Sequence, residues 1–454
     1  MPGAPAGLQP GQDAFDVVGI GFGPSNLALA IAIAEHNANA VAGERISARF
    51  VERQNSFGWH RGMLIADARM RVSFLKDLVT LRNPTSPFSF LCYLHDRGRL
   101  VDFINYGSSF PTRIEFHDYL EWAAARFSNQ VDYGAEVVEI VAGESADRLE
   151  VITRRAGGET MRLPARNVVL ATGLTPNLPQ GTRLGPRVWH NRDLLTRAPE
   201  IAGSAPERLV VVGAGQSAAE VVDYLHRTFP DAEVCAIFAR YGYSPADDSS
   251  FANRIFDPSA VDDFFTAPES VKQLIHGYHA NTNYSVVAPD LIDELYRRHY
   301  HEKVAGIERL RLRNVSRIAD VVAFDDRVEL AVESLIDGAR EVLTADLVVY
   351  ATGYRATDPL RLLAPDLAGA CVRDPAGRLE IRRDYRLSTG PPADGAALRA
   401  GLYVQGATEH THGISSTLLS NIAVRCGEIV ASIAAGGDPP GAPVAAPAGR
   451  GAGY

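Results

Sequence analysis

The sequence predicts an α/β protein built from two Rossmann-like dinucleotide-binding domains. Two glycine-rich turns, at residues 16–26 and 209–218, stand about 190 residues apart, and each follows a short apolar strand. Farther along, an apolar run that ends in Ala-Thr-Gly follows each turn, at 168–173 and again at 347–353. A strand, a glycine turn and a helix place backbone N–H groups and a helix dipole against a pyrophosphate. Two copies of this arrangement predict a duplicated architecture with two bound dinucleotides.

The first glycine turn predicts the first dinucleotide site. Gly21, Gly23 and Asn26 fill the three fingerprint positions, with an asparagine in place of the third glycine. The next predicted strand, at 48–52, ends in Glu52, and an acid at this place accepts a hydrogen bond from a ribose hydroxyl. The alternative role for Glu52 is a solvated strand end.

The second glycine turn predicts a site for NADP in preference to NAD. Gly213, Gly215 and Ala218 fill its fingerprint positions, and the strand predicted at 233–240 ends in Arg240. A guanidinium at that place suits a 2′-phosphate, whereas NAD sites carry an acid there. An ordinary surface arginine is the alternative. The usual reason for one chain to hold two dinucleotides is to pass a hydride between them.

Composition excludes several classes of protein. The 454 residues suffice for two or three domains, and the formal net charge of −9 argues against a nucleic-acid or anionic-membrane partner. The absence of a long apolar run and of a basic-then-apolar N-terminus predicts a cytoplasmic protein without a membrane span. The cysteines are far apart, which excludes a disulfide-reductase pair and a zinc site of usual spacing: Cys92, Cys235, Cys371 and Cys426.

Six longer motifs carry further information, and they lie at 71–90, 98–103, 116–122, 247–256, 281–287 and 412–420. Together they resemble the N-hydroxylating monooxygenases of siderophore pathways, which act on the side-chain amine of L-ornithine or L-lysine. The resemblance is closest to the ornithine branch. It implies an FAD- and NADPH-dependent enzyme that uses O2 to form N5-hydroxyornithine through a C4a-hydroperoxyflavin, for siderophore or related natural-product biosynthesis. It also implies a homo-oligomer, a tetramer.

The resemblance implies residue roles in four groups. The FAD-binding group is Gly21, Gly23, Asn26, Glu52, Arg53, Gln54, Asn55, Ser56, Phe57, Gly58, Trp59, His60, Arg71, Val137, Thr417, Leu418 and Leu419. The NADP-binding group is Ala214, Gly215, Gln216, Ser217, Arg240, Asn283, Tyr284 and Ser285. The substrate-binding group is Lys76, Asn253, Arg254, Ile255, Phe256 and Ser420. The catalytic group, which would hold the oxidised nicotinamide and the amine, is Asn283, Gln216 and Ser420.

Physical chemistry supports the substrate assignments. Lys76 supplies the cation that an amino-acid carboxylate requires, and a lysine that extends its ammonium to the surface is the alternative. Asn253 offers a donor and an acceptor to the zwitterion, and a turn asparagine is the alternative. The substrate amine, with a solution pKa of about 10.4, must lose a proton before it attacks, so desolvation near Ser420 is expected to lower its pKa. The segment from Thr417 to Ser420 is predicted to open a helix.

Arg71 departs from the family pattern. The family usually carries a glutamine immediately before the stretch that leads to Lys76, and this chain carries Arg71. A cation beside the flavin would stabilise the reduced form and change the lifetime of the oxygen adduct. Alternatively, Arg71 points away from the flavin and pairs with an acid.

The predicted domain organisation has an inserted nicotinamide domain. The FAD-binding domain is predicted at 14–203 and again at 346–435, and the NADPH-binding domain at 204–345, with the substrate site at their junction. A flexible N-terminus is predicted at 1–13 and a disordered tail at 436–454, which is rich in glycine, proline and alanine.

Two other functions remain open. One is a non-catalytic nucleotide-binding flavoprotein, which the intact Lys76, Asn253 and Asn283 argue against. The other is a hydroxylase for L-lysine or a decarboxylated diamine. Lys76 argues against the diamine because a diamine has no carboxylate. Ornithine and lysine differ by one methylene, which is worth only about 1–3 kcal/mol in a pocket.

Overall fold

A computed structural model of the chain describes residues 13–41, 43–390 and 398–437. The predicted N-terminal and C-terminal flexible segments lie outside the described residues, apart from residue 13 and residues 436–437. The strands are β1 (Phe15–Ile20), β2 (Ala48–Glu52), β3 (Val131–Tyr133), β4 (Ala135–Ala142), β5 (Leu149–Arg155), β6 (Thr160–Leu170), β7 (Leu174–Pro176), β8 (Val188–His190), β9 (Arg208–Val212), β10 (Glu233–Ile237), β11 (Leu310–Arg313), β12 (Ser316–Ala323), β13 (Val328–Ser334), β14 (Arg340–Ala345), β15 (Leu347–Tyr350), β16 (Tyr354–Ala356) and β17 (Gly401–Val404).

The helices alternate with these strands. The α-helices are α1 (Pro24–Asn39), α2 (Phe90–Asp96), α3 (Leu100–Tyr106), α4 (Arg113–Ala124), α5 (Leu194–Ala202), α6 (Gln216–Thr228), α7 (Pro258–Thr266), α8 (Glu269–His279), α9 (Pro289–Ala305), α10 (Pro365–Ala370), α11 (Glu409–His412) and α12 (Ile422–Ala434). Short 3₁₀ helices lie at Arg61–Met63, Ala125–Gln130, Asn191–Asp193, Ala252–Phe256, Ala280–Thr282, Pro359–Leu362 and Ile414–Thr417. Among the described residues, no helix combines the length and the apolar character that crossing a bilayer requires.

Two sheets of matching design confirm the predicted α/β class with two dinucleotide-binding domains. In the first sheet the parallel strands run in the order β3, β2, β1, β6 and β17, and β6 continues into an antiparallel meander with β5 and β4. In the second sheet the parallel order is β11, β10, β9, β15 and β8. An antiparallel meander of β12, β13 and β14 leads directly into β15. The predicted duplication is therefore present in the strand order.

Both faces of each parallel sheet are buried, which explains the apolar runs in the sequence. In β1, Val17 faces one hydrophobic core and Val18 the opposite core. In β9, Val211 and Val210 divide in the same way between two further cores. A strand that is covered by other elements on both faces needs apolar side chains at every position, not only at alternate ones.

The pairing of β8 and β15 moves the domain boundaries away from the predicted positions. Both strands belong to the second sheet, although the boundaries predicted at 203/204 and 345/346 place them in the first domain. The chain enters the second domain after β7 and leaves it before β16, and these two strands pair antiparallel. The turn-rich segment at 202–206 misled the prediction, because it connects α5 to β9 within the second domain.

Candidate functional site

The two glycine turns pack closely against a neighbouring strand end in the same way in the two domains. Gly21 has a φ of 83°, and a Cβ on it would lie 2.6 Å from the carbonyl oxygen of Ala171. Gly213 has a φ of 140°, and a Cβ on it would lie 2.3 Å from the carbonyl oxygen of Ala351. Each contacted alanine opens an Ala-Thr-Gly segment. A side chain at either glycine would push the turn off the neighbouring strand end.

The helices that follow the turns leave backbone donors free at their first residues. α1 begins after Gly23 with Pro24 at its first position, and α6 begins after Gly215. Neither helix has a side chain that caps its N-terminus, so the first N–H groups and the positive end of the dipole face the turn. Both helix ends thus fit the pyrophosphate of a dinucleotide.

Asn26 explains why an asparagine can replace the third fingerprint glycine. Its side chain is fully buried, and Nδ2 donates to the carbonyl oxygen of Gly21 at 2.7 Å. Its Oδ1 accepts a hydrogen bond from Gln405 Nε2 at 3.2 Å. Asn26 therefore holds the glycine turn from the inside.

Glu52 is buried at the end of β2, which contradicts a solvated strand end. Its Oε2 accepts a hydrogen bond from the backbone N–H of Phe22 at 2.7 Å, and its Oε1 accepts one from the backbone N–H of Gln54 at 2.8 Å. The carboxylate thus joins the glycine turn to the segment after β2. Each oxygen keeps a lone pair that can accept a ribose hydroxyl.

The segment after Glu52 is mostly open. Its solvent-exposed side chains are Arg53, Gln54, Asn55, Ser56 and His60, whereas Phe57 is buried and Gly58 and Trp59 are half-buried. His60 adopts the left-handed conformation with a φ of 52° and packs edge-on against Trp59 at 4.6 Å. Part of the His60 side chain is exposed to solvent. The protein atoms that surround it nevertheless desolvate the imidazole, and together with the Arg113 charge they lower the pKa of His60 to about 4.

Val137 lies at an irregular point of β4. Its side chain belongs to the core of the first domain, and the register of β4 shifts between Val137 and Glu139. Backbone groups at such a shift are not fully used by the neighbouring strand, so they can face a ligand.

Arg240 lies beside the second glycine turn, three residues after β10 ends. Its Nη1 donates to the carbonyl oxygen of Ser285 at 2.8 Å, and the rest of the guanidinium is exposed. Ser285 has a φ of 54°, and its Cα would lie 3.5 Å from a Cβ on Gly215. The structure therefore brings together the predicted NADP residues Arg240, Ser285 and Gly215.

Gln216 also contacts the loop that carries Ser285. Its Oε1 accepts a hydrogen bond from the backbone N–H of Ala288 at 2.8 Å, and its Nε2 donates to Glu220 at 3.0 Å. Glu220 also accepts two hydrogen bonds from Arg113 of the first domain, at 3.0 and 2.9 Å. Both polar atoms of the Gln216 amide are bonded within the protein. Gln216 therefore positions this loop, and its predicted contact with the nicotinamide stays a prediction, because the amide keeps a second N–H and a second lone pair.

The loop that carries Asn283 is tied to the first domain through its neighbour. Tyr284 donates to Glu409 Oε1 at 2.7 Å, and Glu409 precedes the predicted flavin segment. Burial and the Glu409 charge raise the pKa of Tyr284, so the phenol stays protonated and keeps donating. Asn283, the residue before Tyr284, is half-buried.

Lys76, the predicted partner of the substrate carboxylate, lies against the predicted substrate turn. The ammonium of Lys76 lies 5.7 Å from the ring centre of Phe256 and is half-buried. Desolvation lowers the pKa of Lys76, and the nearby Asp257 charge partly opposes the change. No described carboxylate forms a salt bridge with Lys76, so its charge is available to a ligand. This position contradicts a lysine whose ammonium extends freely into solvent.

The turn Ala252–Phe256 gives its side chains different surroundings. Asn253 donates through Nδ2 to the carbonyl oxygen of Asp248 at 2.7 Å, as the turn alternative predicts, and its Oδ1 stays available. Arg254 is exposed and lies 3.7 Å from Asp257, whereas Ile255 is half-buried. The turn packs against the 3₁₀ helix Ile414–Thr417 of the first domain.

The prediction that the segment from Thr417 to Ser420 opens a helix is wrong. Thr417 ends a 3₁₀ helix, and α12 begins at Ile422 after Asn421. Leu418 has extended backbone, with a φ of −98° and a ψ of 160°. The segment is therefore a connector between two helical turns, and Ser420 is buried just before α12.

Arg71 faces the second domain. Its guanidinium lies 3.8 Å from Asp248 Oδ2, and both side chains are partly exposed. It lines an interdomain cleft of about 250 Å³ together with Gln216 and Glu220. Arg71 thus pairs with an acid, as one alternative predicts, and its position relative to the flavin ring stays a prediction.

Buried polar atoms without partners mark the first domain as a site for a polar ligand. Thr408 Oγ1, Ser416 Oγ and Asn421 Oδ1 are buried with no hydrogen-bond partner among the described residues. Buried polar groups are normally satisfied, so these three atoms, all on the segment around Thr417, fit a bound group with many hydrogen-bonding positions. FAD is such a group. Sequence reasoning missed these atoms, and also Gln405, Glu220 and Arg425, because no local motif identifies them.

These features define a two-dinucleotide flavoprotein of the hydride-accepting kind. The chain belongs to the family of L-lysine 6-monooxygenase/L-ornithine 5-monooxygenase, whose sequence model matches residues 13–356. The predicted membership of the N-hydroxylating monooxygenases is thus confirmed, and with it the predicted use of FAD and NADPH.

Individual relatives agree with this membership. The chain is 39% identical over 427 residues to L-ornithine N(5)-monooxygenase of Pseudomonas aeruginosa, which covers 92% of this chain and 93% of the relative. A solved structure of the Kutzneria sp. 744 ornithine N-hydroxylase with reduced FAD, NADP+ and L-ornithine matches with 46% identity and a TM-score of 0.88, over 92% of this chain and 99% of that one. L-lysine 6-monooxygenase of Pseudomonas syringae matches with 32% identity and a TM-score of 0.79, over 93% of this chain and 100% of that one.

Proposed function

We propose that this chain hydroxylates the side-chain amine of L-ornithine, with NADPH as the reductant and O2 as the co-substrate, for the biosynthesis of a siderophore or a related natural product. The observation that carries the proposal is the half-buried ammonium of Lys76 beside the turn of Phe256, without a protein carboxylate to neutralise it. Such a group fits a substrate that has a carboxylate, and ornithine and lysine both have one.

FAD in this proposal lies in the first domain. The N-terminus of α1 and the turn at Gly21 would hold its pyrophosphate, and Glu52 would accept from its ribose. The unpartnered atoms around Thr417 would hold its polar ring edge. When bound and reduced, FAD supplies the activation of O2.

NADPH in this proposal lies in the second domain. The N-terminus of α6 and the turn from Gly213 to Ser217 would hold its pyrophosphate, and Arg240 would pair with the 2′-phosphate. Asn283, on the loop that Gln216 and Tyr284 fix, would hold the nicotinamide end. The three attachments of this loop would keep water away from the reacting atoms.

The protein's task toward the amine is to bind it without its proton. Ser420 is buried at 6% exposure, at the end of the segment that faces the substrate turn. A buried site disfavours an ammonium and lowers the pKa of the amine, so the neutral form needed for attack on oxygen becomes accessible. The substrate turn, Ala252–Phe256, contains no carboxylate that could act as a base, so the proton would leave to water on binding.

A product assay with ornithine, lysine and putrescine tests the proposed substrate. We expect hydroxylated product mainly from L-ornithine, with L-lysine reduced by the roughly 10- to 200-fold that one methylene can produce. Putrescine, which lacks a carboxylate, is expected to give less product still. A preference for lysine would contradict the proposal but leave the family unchanged, and no amine-stimulated NADPH oxidation would favour a non-catalytic nucleotide-binding protein.

Arg71→Gln is expected to increase the amount of hydroxylated amine formed per NADPH consumed. The guanidinium favours negative charge on a nearby ring and occupies the place of the family's usual glutamine, so the present protein is expected to lose more hydrogen peroxide. The measurement compares product and peroxide per NADPH in both proteins. Asp248→Asn is the matched control, because it removes the ion pair and keeps the guanidinium. Equal product ratios for wild type and Arg71→Gln would mean that Arg71 acts only on Asp248.

We also propose that the protein is a cytoplasmic homo-oligomer, a tetramer, with no nucleic-acid partner. Apolar side chains along one side of α9 support an interface, since Tyr296, Tyr300 and Val304 are exposed by 69%, 58% and 72%. Light scattering coupled to size-exclusion chromatography tests the assembly. A monomer at micromolar concentration would contradict it.

A further inference from the structure

Three buried side chains form a continuous hydrogen-bonded chain through the first domain. Asn26 of α1 bonds the carbonyl oxygen of Gly21 at 2.7 Å and accepts from Gln405 Nε2 at 3.2 Å. Gln405 Oε1 accepts in turn from Arg425 Nε at 3.2 Å. Arg425 Nη1 then donates to the carbonyl oxygen of Ser416 at 2.7 Å. We call this series of contacts the buried relay.

The buried relay connects distant parts of the sequence and excludes water. Asn26 has no exposed surface, Arg425 is 3% exposed and Gln405 is 4% exposed. Its members come from α1, from the residue after β17 and from α12, so each bond joins two separate elements. Hydrogen bonds of this kind, in a low-dielectric interior, fix the relative position of the elements that they join.

A buried arginine such as Arg425 destabilises the fold unless its charge and its donors have a specific use. Its two bonds go to an amide oxygen and a carbonyl oxygen, and no described carboxylate forms a salt bridge with it. Burial of a charge without a counter-charge costs free energy, and an apolar residue would fill the same volume without that cost. The planar fork of a guanidinium offers what an apolar residue does not, two strong donors at a fixed angle.

The ends of the buried relay lie at two different parts of the proposed FAD site. Gly21 belongs to the turn for the pyrophosphate, and Ser416 immediately precedes Thr417 and the connector that ends at Ser420. We propose that Arg425 is a positioning residue, which holds this connector at a fixed distance from the first glycine turn through Gln405 and Asn26. The proposal rests on the FAD and ornithine sites proposed above.

Gln405→Glu is the most informative variant, because it tests the positioning of the connector separately from the stability of the fold. Glutamate has the same shape and can accept from Arg425 Nε, which turns that bond into a buried ion pair. It cannot donate to Asn26 Oδ1, so two acceptors face each other at the link to α1. The new ion pair with Arg425 offsets the repulsion between these acceptors, so we expect a melting temperature of the FAD-free protein close to that of wild type. We expect FAD affinity to fall and the KM for ornithine to rise, each by about tenfold.

Arg425→Met and Arg425→Lys test the contribution of the guanidinium itself. Methionine keeps much of the volume and removes both donors, so we expect the same two losses of about tenfold. Lysine keeps the charge but reaches only one acceptor, so its losses are expected to be smaller. Arg82→Met is the matched control, because Arg82 packs against α12 at Gly427 and pairs with Glu35 at 2.6 Å outside the relay.

The measurements are FAD binding by fluorescence, KM and kcat with ornithine, and the rate of flavin reduction by NADPH at saturating FAD. Losses in FAD affinity and in KM, with a reduction rate within about twofold of wild type, support the proposal. Values equal to those of Arg82→Met overturn it, and so does a loss of folded protein in both Gln405→Glu and Arg425→Met. A wild-type protein that does not hydroxylate ornithine instead contradicts the proposed function.

Discussion

Replacement of Lys76 with alanine is expected to raise the apparent KM for L-ornithine by about ten- to a hundredfold, while NADPH still reduces the flavin at the wild-type rate. The reason is that Lys76 carries the unpaired ammonium beside Phe256, and its removal takes one charge-assisted bond from the substrate carboxylate. Steady-state kinetics with ornithine and stopped-flow reduction without it measure the two effects separately.

Lys272 provides a matched control for this experiment. Its ammonium lies 5.7 Å from the ring centre of Phe264, the same distance as between Lys76 and Phe256, but it belongs to α8. Lys272→Ala removes the same charge and a similar ring contact, and is expected to leave the KM for ornithine unchanged. Normal ornithine kinetics in Lys76→Ala would show that the carboxylate binds elsewhere.

Replacement of Arg240 with alanine is expected to raise the KM for NADPH by about ten- to a hundredfold and to leave the KM for NADH nearly unchanged. The exposed part of the guanidinium faces the region beside the second glycine turn, where a 2′-phosphate would lie, and NADH has no such phosphate. Initial rates of flavin reduction with both nucleotides give the selectivity directly.

The hydrogen bond from Arg240 to Ser285 suggests a different role for Arg240, which would give the opposite experimental result. If Arg240 only orders the loop of Ser285, its loss will weaken NADPH and NADH equally. Arg240→Lys keeps a cation near the phosphate and is expected to recover part of the preference. Arg340→Ala controls for the change in net charge, because it removes an exposed arginine of β14 that pairs with Glu333 of β13.

The duplicated fold could be predicted because its signals are local. A glycine turn after an apolar strand reports a backbone geometry that few other residues permit, and both turns appear as expected at Gly21 and Gly213. The domain boundaries are harder to predict from the sequence, because β8 and β15 are assigned to the second sheet only by their pairing across more than a hundred residues. Turn-forming composition at 202–206 marks a connection, and many connections lie inside domains.

In the candidate site too, residues in local motifs could be predicted, whereas residues that act through contacts between separate elements could not. Lys76, Phe256 and Arg240 belong to continuous motifs, and the structure places each beside a partner that the motifs predict. Gln405, Arg425 and Glu220 escaped prediction because their roles come from contacts between separate elements. The start of α12 was misplaced because the connector before it is apolar enough to continue a helix, but Leu418 is extended and interrupts the hydrogen-bonding pattern.

The antiparallel pairing of β7 with β16 has a consequence for engineering. Pro176 stands opposite Tyr354 in that ribbon, so the two ends of the second domain are adjacent in space. An exchange of residues 177–353 for the equivalent portion of a relative would join the chain at two neighbouring points and need no new linker. If NADPH binds as proposed above, the nucleotide preference would transfer with the exchanged segment, and the fit of that segment would depend on the side chains that reach across the cleft.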